Sequence, residues 1–216
     1  VGSWNFAATA YLNQWKVKIY YEHYFDDHSQ MFFQYGRWKD GHIGLEITFP
    51  KNRFIDTFVY EGLGTKDQTG PMLYDSFWGE FEEQISAKDN YYNHYLYQGW
   101  QHWGMGIGNP LLPGPIYNKN GQITFISNRV LAHHIGFCGS PCQSLSYRML
   151  LSYSRHWGTY DNPLNEIKKQ FNSLFEVTYA PQQLKGWSFT VSGAMDRGNL
   201  LGNNYDGMMV IRKQGI

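Results

Sequence analysis

Alternation of apolar and polar residues with a period of two recurs along this chain, and it constrains the fold more than any other feature. Over 41–49, Ile43, Leu45, Ile47 and Phe49 alternate with His42, Gly44, Glu46 and Thr48. Over 145–157, Leu145, Tyr147, Met149, Leu151 and Tyr153 alternate with Ser146, Arg148, Leu150, Ser152, Ser154 and His156. Phe171, Phe175, Val177 and Tyr179 alternate with Asn172, Glu176 and Thr178, and Trp187, Phe189, Val191 and Met195 with Ser188, Thr190, Ser192 and Asp196. Val17, Ile19, Tyr21 and Phe25 alternate with Lys18, Tyr20, Glu22 and Tyr24. Weaker strands over 4–12, 55–63, 123–137 and 205–212 bring the expected number to about nine. Successive side chains of a strand point to opposite faces, so each strand presents one apolar and one polar face.

The connections carry a second pattern. Short turns are expected near 13–16, 50–53, 139–144 and 181–186, and long connections at 26–40, 65–122, 158–170 and 197–204. Short turns at one end and long loops at the other are the arrangement of up-and-down membrane strands. The expected fold is therefore all-β, an antiparallel up-and-down transmembrane β-barrel, with its last strand ending on the short-turn side. A connection as long as 65–122 is uncommon inside a compact soluble domain. On the outer side of a barrel it is ordinary and can fold into the mouth. Trp15, Phe49, Tyr147, Tyr179 and Trp187 lie beside the short turns, while Phe25, Tyr153 and Trp157 lie beside the long loops, as two interfacial aromatic belts would. The alternative is a soluble β-sandwich or lipocalin-like barrel that packs the same face inward.

Composition agrees with a β-barrel and excludes other classes. Of 216 residues, 18% are aromatic and only 17% charged, with 18 basic and 18 acidic side chains. A neutral balance argues against nucleic-acid binding through a basic face, and abundant aromatics argue against disorder. Mean hydropathy is −0.51, and no stretch approaches the ~18 apolar residues of a membrane helix. The chain opens at Val1 almost directly into a strand-like run. Residues 1–216 read as a single β-barrel segment, the C-terminal portion of a longer chain.

No catalytic motif is present: no G-x-S-x-G, H-E-x-x-H or P-loop. Cys138 and Cys142 bracket an expected turn and can be read as a disulfide or as two free thiols. They lack the two further ligands of a structural zinc site, and no metal or other cofactor is expected. His133 and His134 point to opposite faces, with His134 toward the lumen. Ser152, Ser154 and His156 share the lumen face, as a routine polar lining or, less simply, as the Ser and His of an outer-membrane hydrolase.

The aromatic and amide-rich stretch 89–109 is the main binding candidate. Its Tyr91, Tyr92, His94, Tyr95, Tyr97, Trp100 and Trp103 offer rings that stack on the apolar faces of sugars, beside Asn and Gln groups that bond hydroxyls. Arg155, Trp157 and Asp161 form a second aromatic-polar cluster at the same end. A structural role, in which these rings pack a long loop, is the competing reading. Gly104, Gly106 and Gly108 with Pro110, Pro113 and Pro115 mark that stretch as loop.

Several ordered segments carry a resemblance: YYNHYLYQGWQHWGMGIGNPLL (91–112), SNRVLAHHIGFCG (127–139), SYRMLLSYSRHWGTYDNP (146–163), SLFEVTYAPQQLKGWSFT (173–190) and GMMVIRK (207–213), with YYEHYFDDHS (20–29) fitting as well. Together they resemble the end of the capsule assembly Wzi family of outer-membrane proteins. The resemblance implies a Gram-negative outer-membrane barrel of on the order of eighteen strands, of which this chain supplies about half. It implies a non-enzymatic, lectin-like role in binding surface polysaccharide and attaching or assembling the capsule. The expected partners are then polysaccharide, outer-membrane lipid and the remaining strands of the parent barrel, with no nucleic acid. A pore for small polar solutes is the alternative on the same architecture, and a soluble carbohydrate-binding sandwich is a further one.

Overall fold

A computed structural model describes residues 2–25, 40–52, 54–66, 68, 90–93 and 98–215. The expected sites His94, Tyr95 and Tyr97 and most of the 26–40 connection lie outside these residues. In chain order the strands are β1 (Gly2–Leu12), β2 (Trp15–Phe25), β3 (Gly41–Thr48), β4 (Thr57–Gly64), β5 (Gln101–His102), β6 (Met105–Gly106), β7 (Val130–Cys142), β8 (Leu145–Gly158), β9 (Pro163–Tyr179), β10 (Trp187–Gly198) and β11 (Asn204–Lys213). Nine of them form one sheet in the order β1-β2-β3-β4-β7-β8-β9-β10-β11, every pair antiparallel. Hence each long strand pairs with the next long strand of the chain. β5 and β6 make a separate two-residue hairpin. Among the described residues the sheet does not close; β1 and β11 are its two edges.

The registers sort the alternating residues onto two continuous faces. Val17, Ile47, Phe58 and Phe137 meet across β2, β3, β4 and β7. Tyr147, Val177, Val191 and Met209 meet across β8 to β11. This apolar face is not packed away: Ile19, Ile43, Ile135, Phe175, Val191, Met209 and Ile211 are all exposed. Trp15 on Phe49, with ring centres 5.0 Å apart, and Trp187 beside Phe189 mark the short-turn end of this face. Among the polar side chains within the face, the Tyr60 hydroxyl and His133 Nδ1 are 2.8 Å apart, and Ser173 Oγ donates to the Met195 carbonyl at 3.5 Å.

The opposite face is polar, and it is covered over the central strands, while its residues on the edge strands β1 and β11 stay mostly exposed. The buried apolar cluster of Leu63, Leu112, Phe125, Val130 and Ala132 forms where the segment after β4 returns over this face. Burial is thus inverted relative to a water-soluble sheet, which hides its apolar side and wets its polar side.

Three sequence expectations need correction. The connections at 158–170 and 197–204 are short, leaving only 159–162 and 199–203 outside strands, because β8, β9 and β10 run on past their apolar stretches. β9 begins at Pro163, and its first half, with Asn165, Glu166, Lys168 and Lys169, is too polar to register as a strand by alternation. Gly158 ends β8 with φ of 84°, a left-handed conformation suited to glycine, and so turns the chain within four residues. The expected turn at 139–144 shrinks to Gln143-Ser144. Cys138 and Cys142 lie in β7 across a register irregularity between Gly139 and Cys142, and both are free thiols. The strand expected over 123–137 starts only at Val130, since 123–129 belongs to the covering segment.

Candidate functional site

A row of polar side chains crosses the covered face. Glu22 pairs with His42, Glu61 with His134, His134 with Ser152, Ser152 with Asn172, and Asn172 with Asp196, each on the next strand of the sheet. The members bond one another. His42 Nε2 lies 3.5 Å from Glu61 Oε1, His134 Nδ1 lies 2.7 Å from Ser152 Oγ, and Asn172 Nδ2 donates to Asp196 at 2.6 Å. Ser3 Oγ donates to Glu22 at 2.7 Å. Tyr20 also donates to Glu61. It gets there by lying across Gly44, its cross-strand partner, which in turn pairs with Glu61. A Cβ on Gly44 would sit 2.0 Å from the Tyr20 ring, so glycine is required at that crossing. His134 therefore faces the polar side and His133 the apolar one, as the alternation predicts.

Above this row sits a cavity of about 590 Å³. Glu22, His42, Glu61, His134 and Ser152 form its polar wall, and Tyr24, Tyr91, Tyr92, Trp100 and 108–112 contribute the other. Apolar walls with a few convergent polar groups are typical of small-ligand sites.

The covering segment is held by amides. Asn128, fully buried, donates from Nδ2 to the Tyr91 carbonyl at 2.7 Å and to the Asn90 side chain, while its own carbonyl accepts from Thr65 Oγ1 and Gln68 Nε2, both at 2.6 Å. Asn93 pairs reciprocally with the Phe125 backbone, 2.8 Å in each direction. Asn118 Nδ2 donates to the carbonyls of Gln122 and Thr124 at 2.7 Å. Replacing Asn128 by alanine leaves the buried Tyr91 carbonyl without its donor, which costs about 1–3 kcal/mol. The expected result of Asn128→Ala is faster proteolysis within 90–128 with an unchanged strand content, read by limited digestion and circular dichroism.

The expected sugar-binding residues separate into distinct environments. Tyr91 is only 4% exposed, packs edge-on against Tyr24 and donates its hydroxyl to Asp40 at 3.3 Å. Tyr92 lies between Trp100 and Phe125, each 5.1 Å away centre to centre. Burial raises the Tyr92 phenol pKa above its ordinary value, and the backbone N–H of Asn109, which the phenol oxygen accepts, opposes that shift. Both tyrosines fix the segment. Trp100 reaches the cavity with one edge and solvent with another.

Trp103 stands apart. It occupies the first of the two loop residues between β5 and β6, with φ of 52° for Trp103 and 80° for Gly104. That is a type I′ hairpin turn, whose positions favour Asn, Asp and Gly. A tryptophan there is strained by about 1–3 kcal/mol, yet it is 84% exposed and so recovers little by packing. A larger residue at Gly104 is disfavoured twice, by its positive φ and by a Cβ that would lie 3.1 Å from the Ile116 backbone.

Arg155 and Trp157 lie elsewhere, on the apolar face at its loop end, with Asp161 exposed in the turn beyond. The Arg155 guanidinium and the Lys66 ammonium lie 5.4 and 5.2 Å from the Trp157 ring centre. Arg129 stacks on Tyr160 at 3.9 Å. Among the described residues no ring contact or hydrogen bond joins this cluster to Trp100 or Trp103.

His156 is fully buried, with Ser154 Oγ 2.9 Å from Nε2 and Ser127 Oγ 3.3 Å from Nδ1. Both ring nitrogens are engaged, Nδ1 tying β8 to the covering segment and Nε2 held within β8 itself, and neither lines the cavity. Among the described residues no group of three or more His, Cys, Asp or Glu side chains converges to hold a metal ion.

The polar row was hidden from sequence reasoning, because alternation assigns a face without saying which residues meet across strands. The positive φ of Trp103 left one trace, a Trp-Gly pair between short polar-aromatic runs. No family model, curated protein or solved structure matches this chain.

Proposed function

We propose that this chain is a membrane-spanning part of a Gram-negative outer-membrane β-barrel, non-enzymatic and lectin-like, which holds surface polysaccharide and helps attach the capsule. The observation that carries the membrane reading is the inverted burial. Nine strands expose a continuous apolar face bordered by aromatic rings, while the polar face is covered over the central strands. An apolar patch of that extent on a water-soluble monomer would exceed the few hundred Å² normally tolerated. From Phe171 to Tyr179 on β9, and from Trp187 to Met195 on β10, the outward band covers eight residue steps. That is about 26 Å along the strand and roughly 20 Å at a tilt near 40°, the order of an outer-membrane apolar belt. Open edges are not tolerated in lipid, so β1 and β11 pair with further strands in the closed barrel of this reading.

The polysaccharide part rests on the resemblance to the Wzi family and on Trp103. A strained, exposed tryptophan at a hairpin tip sacrifices stability for display, a pattern that belongs to functional sites. Trp100, half-exposed three residues earlier, extends the same surface toward the cavity. The covering segment disfavours an open pore, since it occupies the polar face that solutes would follow.

Deletion of the gene should release polysaccharide to the medium while total synthesis stays constant. Trp103→Asn suits the type I′ position, so it should keep or raise stability while weakening polysaccharide retention about tenfold, the effect of losing one aromatic anchor. Unchanged retention in both strains would remove the capsule role.

A further inference from the structure

Five cations stand on the apolar face at its loop end, one step beyond the apolar band. Arg155 and Lys169 are direct cross-strand partners on β8 and β9. Arg197 on β10 pairs with Phe171, the outward residue next to Lys169. Lys66 and Arg129 continue the row past β4 and before β7, joined by the Arg129 Nε–H, which donates to the Lys66 carbonyl at 3.1 Å. Their outward neighbours one step down are apolar or aromatic: Leu131, Tyr153, Phe171 and Met195.

The arrangement is unfavourable without a counter-charge. Like charges directly opposite on adjacent strands destabilise a sheet, and Arg155 faces Lys169. Among the described residues no carboxylate lies within ion-pair distance of any of the five; the ion pairs found belong to Lys16, His42, Arg148 and Lys168, all on the polar face. The nearest acidic residue on β9, Glu166, faces the other side and pairs with Lys168 at 2.7 Å. Stacking on Trp157 and Tyr160 orients three of the cations without neutralising them. At the other end of the same face, Lys213 over Trp187 is the lone cation among the described strand residues.

We propose that Arg155, Lys169 and Arg197, with Lys66 and Arg129 beside them, clamp the phosphates of a bis-phosphorylated glucosamine lipid in the outer leaflet, the lipid A headgroup of a Gram-negative membrane. This inference rests on the membrane reading above. The row lies where a headgroup meets the apolar band: acyl chains lie against Tyr153, Phe171 and Met195 while phosphates reach the cations above. Arginine forks match phosphate oxygens in pairs, and a dianion between Arg155 and Lys169 removes their repulsion. The outward direction of the row favours a membrane lipid over a soluble polyanion, since the side chains emerge at the lipid boundary rather than over the mouth.

The test uses the full-length protein in neutral detergent, titrated with bis-phosphorylated lipid A and with its dephosphorylated form, and followed by native mass spectrometry. The phosphorylated form should bind at least about tenfold more tightly. The triple variant Arg155→Gln/Lys169→Gln/Arg197→Gln should abolish that difference, and Arg155→Lys/Arg197→Lys, which keeps the charges, should largely retain it. Equal binding of the two lipids, an unaffected triple variant, or displacement of lipid A by alginate as a soluble acidic polysaccharide would overturn the clamp. Cell fractionation separates the two readings. Protein found in the outer membrane but indifferent to phosphate loses only the clamp, whereas protein recovered without detergent loses the membrane reading and the clamp with it.

Discussion

Val191→Arg should destabilise the folded protein by about 2–4 kcal/mol in lipid vesicles, the cost of a cation near the middle of the apolar belt of a membrane barrel. Val191 sits centrally on β10 between Trp187 and Met195, pairs with Val177 and Met209, and is 58% exposed. For a soluble protein the same change at so exposed a site would fall within about 0.5 kcal/mol. The two environments thus differ several-fold at one position. Ala194→Arg is the matched control, because Ala194 faces the polar side opposite Asp206. It should cost far less, and denaturant titration of both variants in vesicles reads the difference. Near-equal effects would mean that the apolar face does not meet lipid, and the soluble sandwich would then become the working structure.

The sheet was legible because each strand repeats one signal many times. Gly41–Thr48 and Leu145–Gly158 alternate so regularly that both their identity and their apolar side follow from residue order. Legibility fails where the surroundings of a strand change. Beyond its apolar stretch β9 is mostly exposed on both faces until Gln170, alternation disappears, and the Pro163–Gln170 half reads as loop. Register is a second blind spot. Nothing local shows that Tyr20 crosses Gly44 to reach Glu61, since that depends on which residues three strands bring level. The covering segment is the third. Its tyrosines, tryptophans and amides suit sugar binding by type, but Asn128 and Asn93 are spent on the Asn90 side chain and on backbone groups and Tyr91 on Asp40, whereas Trp100 and Trp103 stay exposed. Residue type indicates what a side chain can do; burial decides which of two compatible tasks it performs.

The same segment explains why a polar sheet face contains an apolar core at all. Leu63 and Ala132 are apolar exceptions on the polar side of β4 and β7, and Val130 begins β7 on that side. These three lie where Leu112 and Phe125 come down, so the sheet carries a small landing site for its own loop. Elsewhere the same face returns to Lys18, Glu46, Arg148 and Glu176. Arg148 pairs there with Glu176 at 3.3 Å across β8 and β9.

Phe125→Ala should remove about 3–5 kcal/mol, the range for truncating a buried aromatic, and nearly all of it from the covering segment. Phe125 is 1% exposed, is the largest fully buried side chain described, and packs against Tyr92, whose φ of 69° costs energy that this contact offsets. Gly106 has Phe125 against its open side, 3.2 Å from where a Cβ would sit, so the ring also supports the hairpin that carries Trp103. Loss of the ring should therefore speed hydrogen exchange at 91–93 and 104–117, while β8 to β10, which contribute no member to its apolar cluster, keep their protection. In planar bilayers the variant should conduct small ions better than wild type, because the segment would no longer stay seated over the polar row. Uniformly faster exchange across the whole sheet would show instead that the segment and strands fold as one cooperative unit. Unchanged conductance would mean that the polar face leads to no through-path even when uncovered.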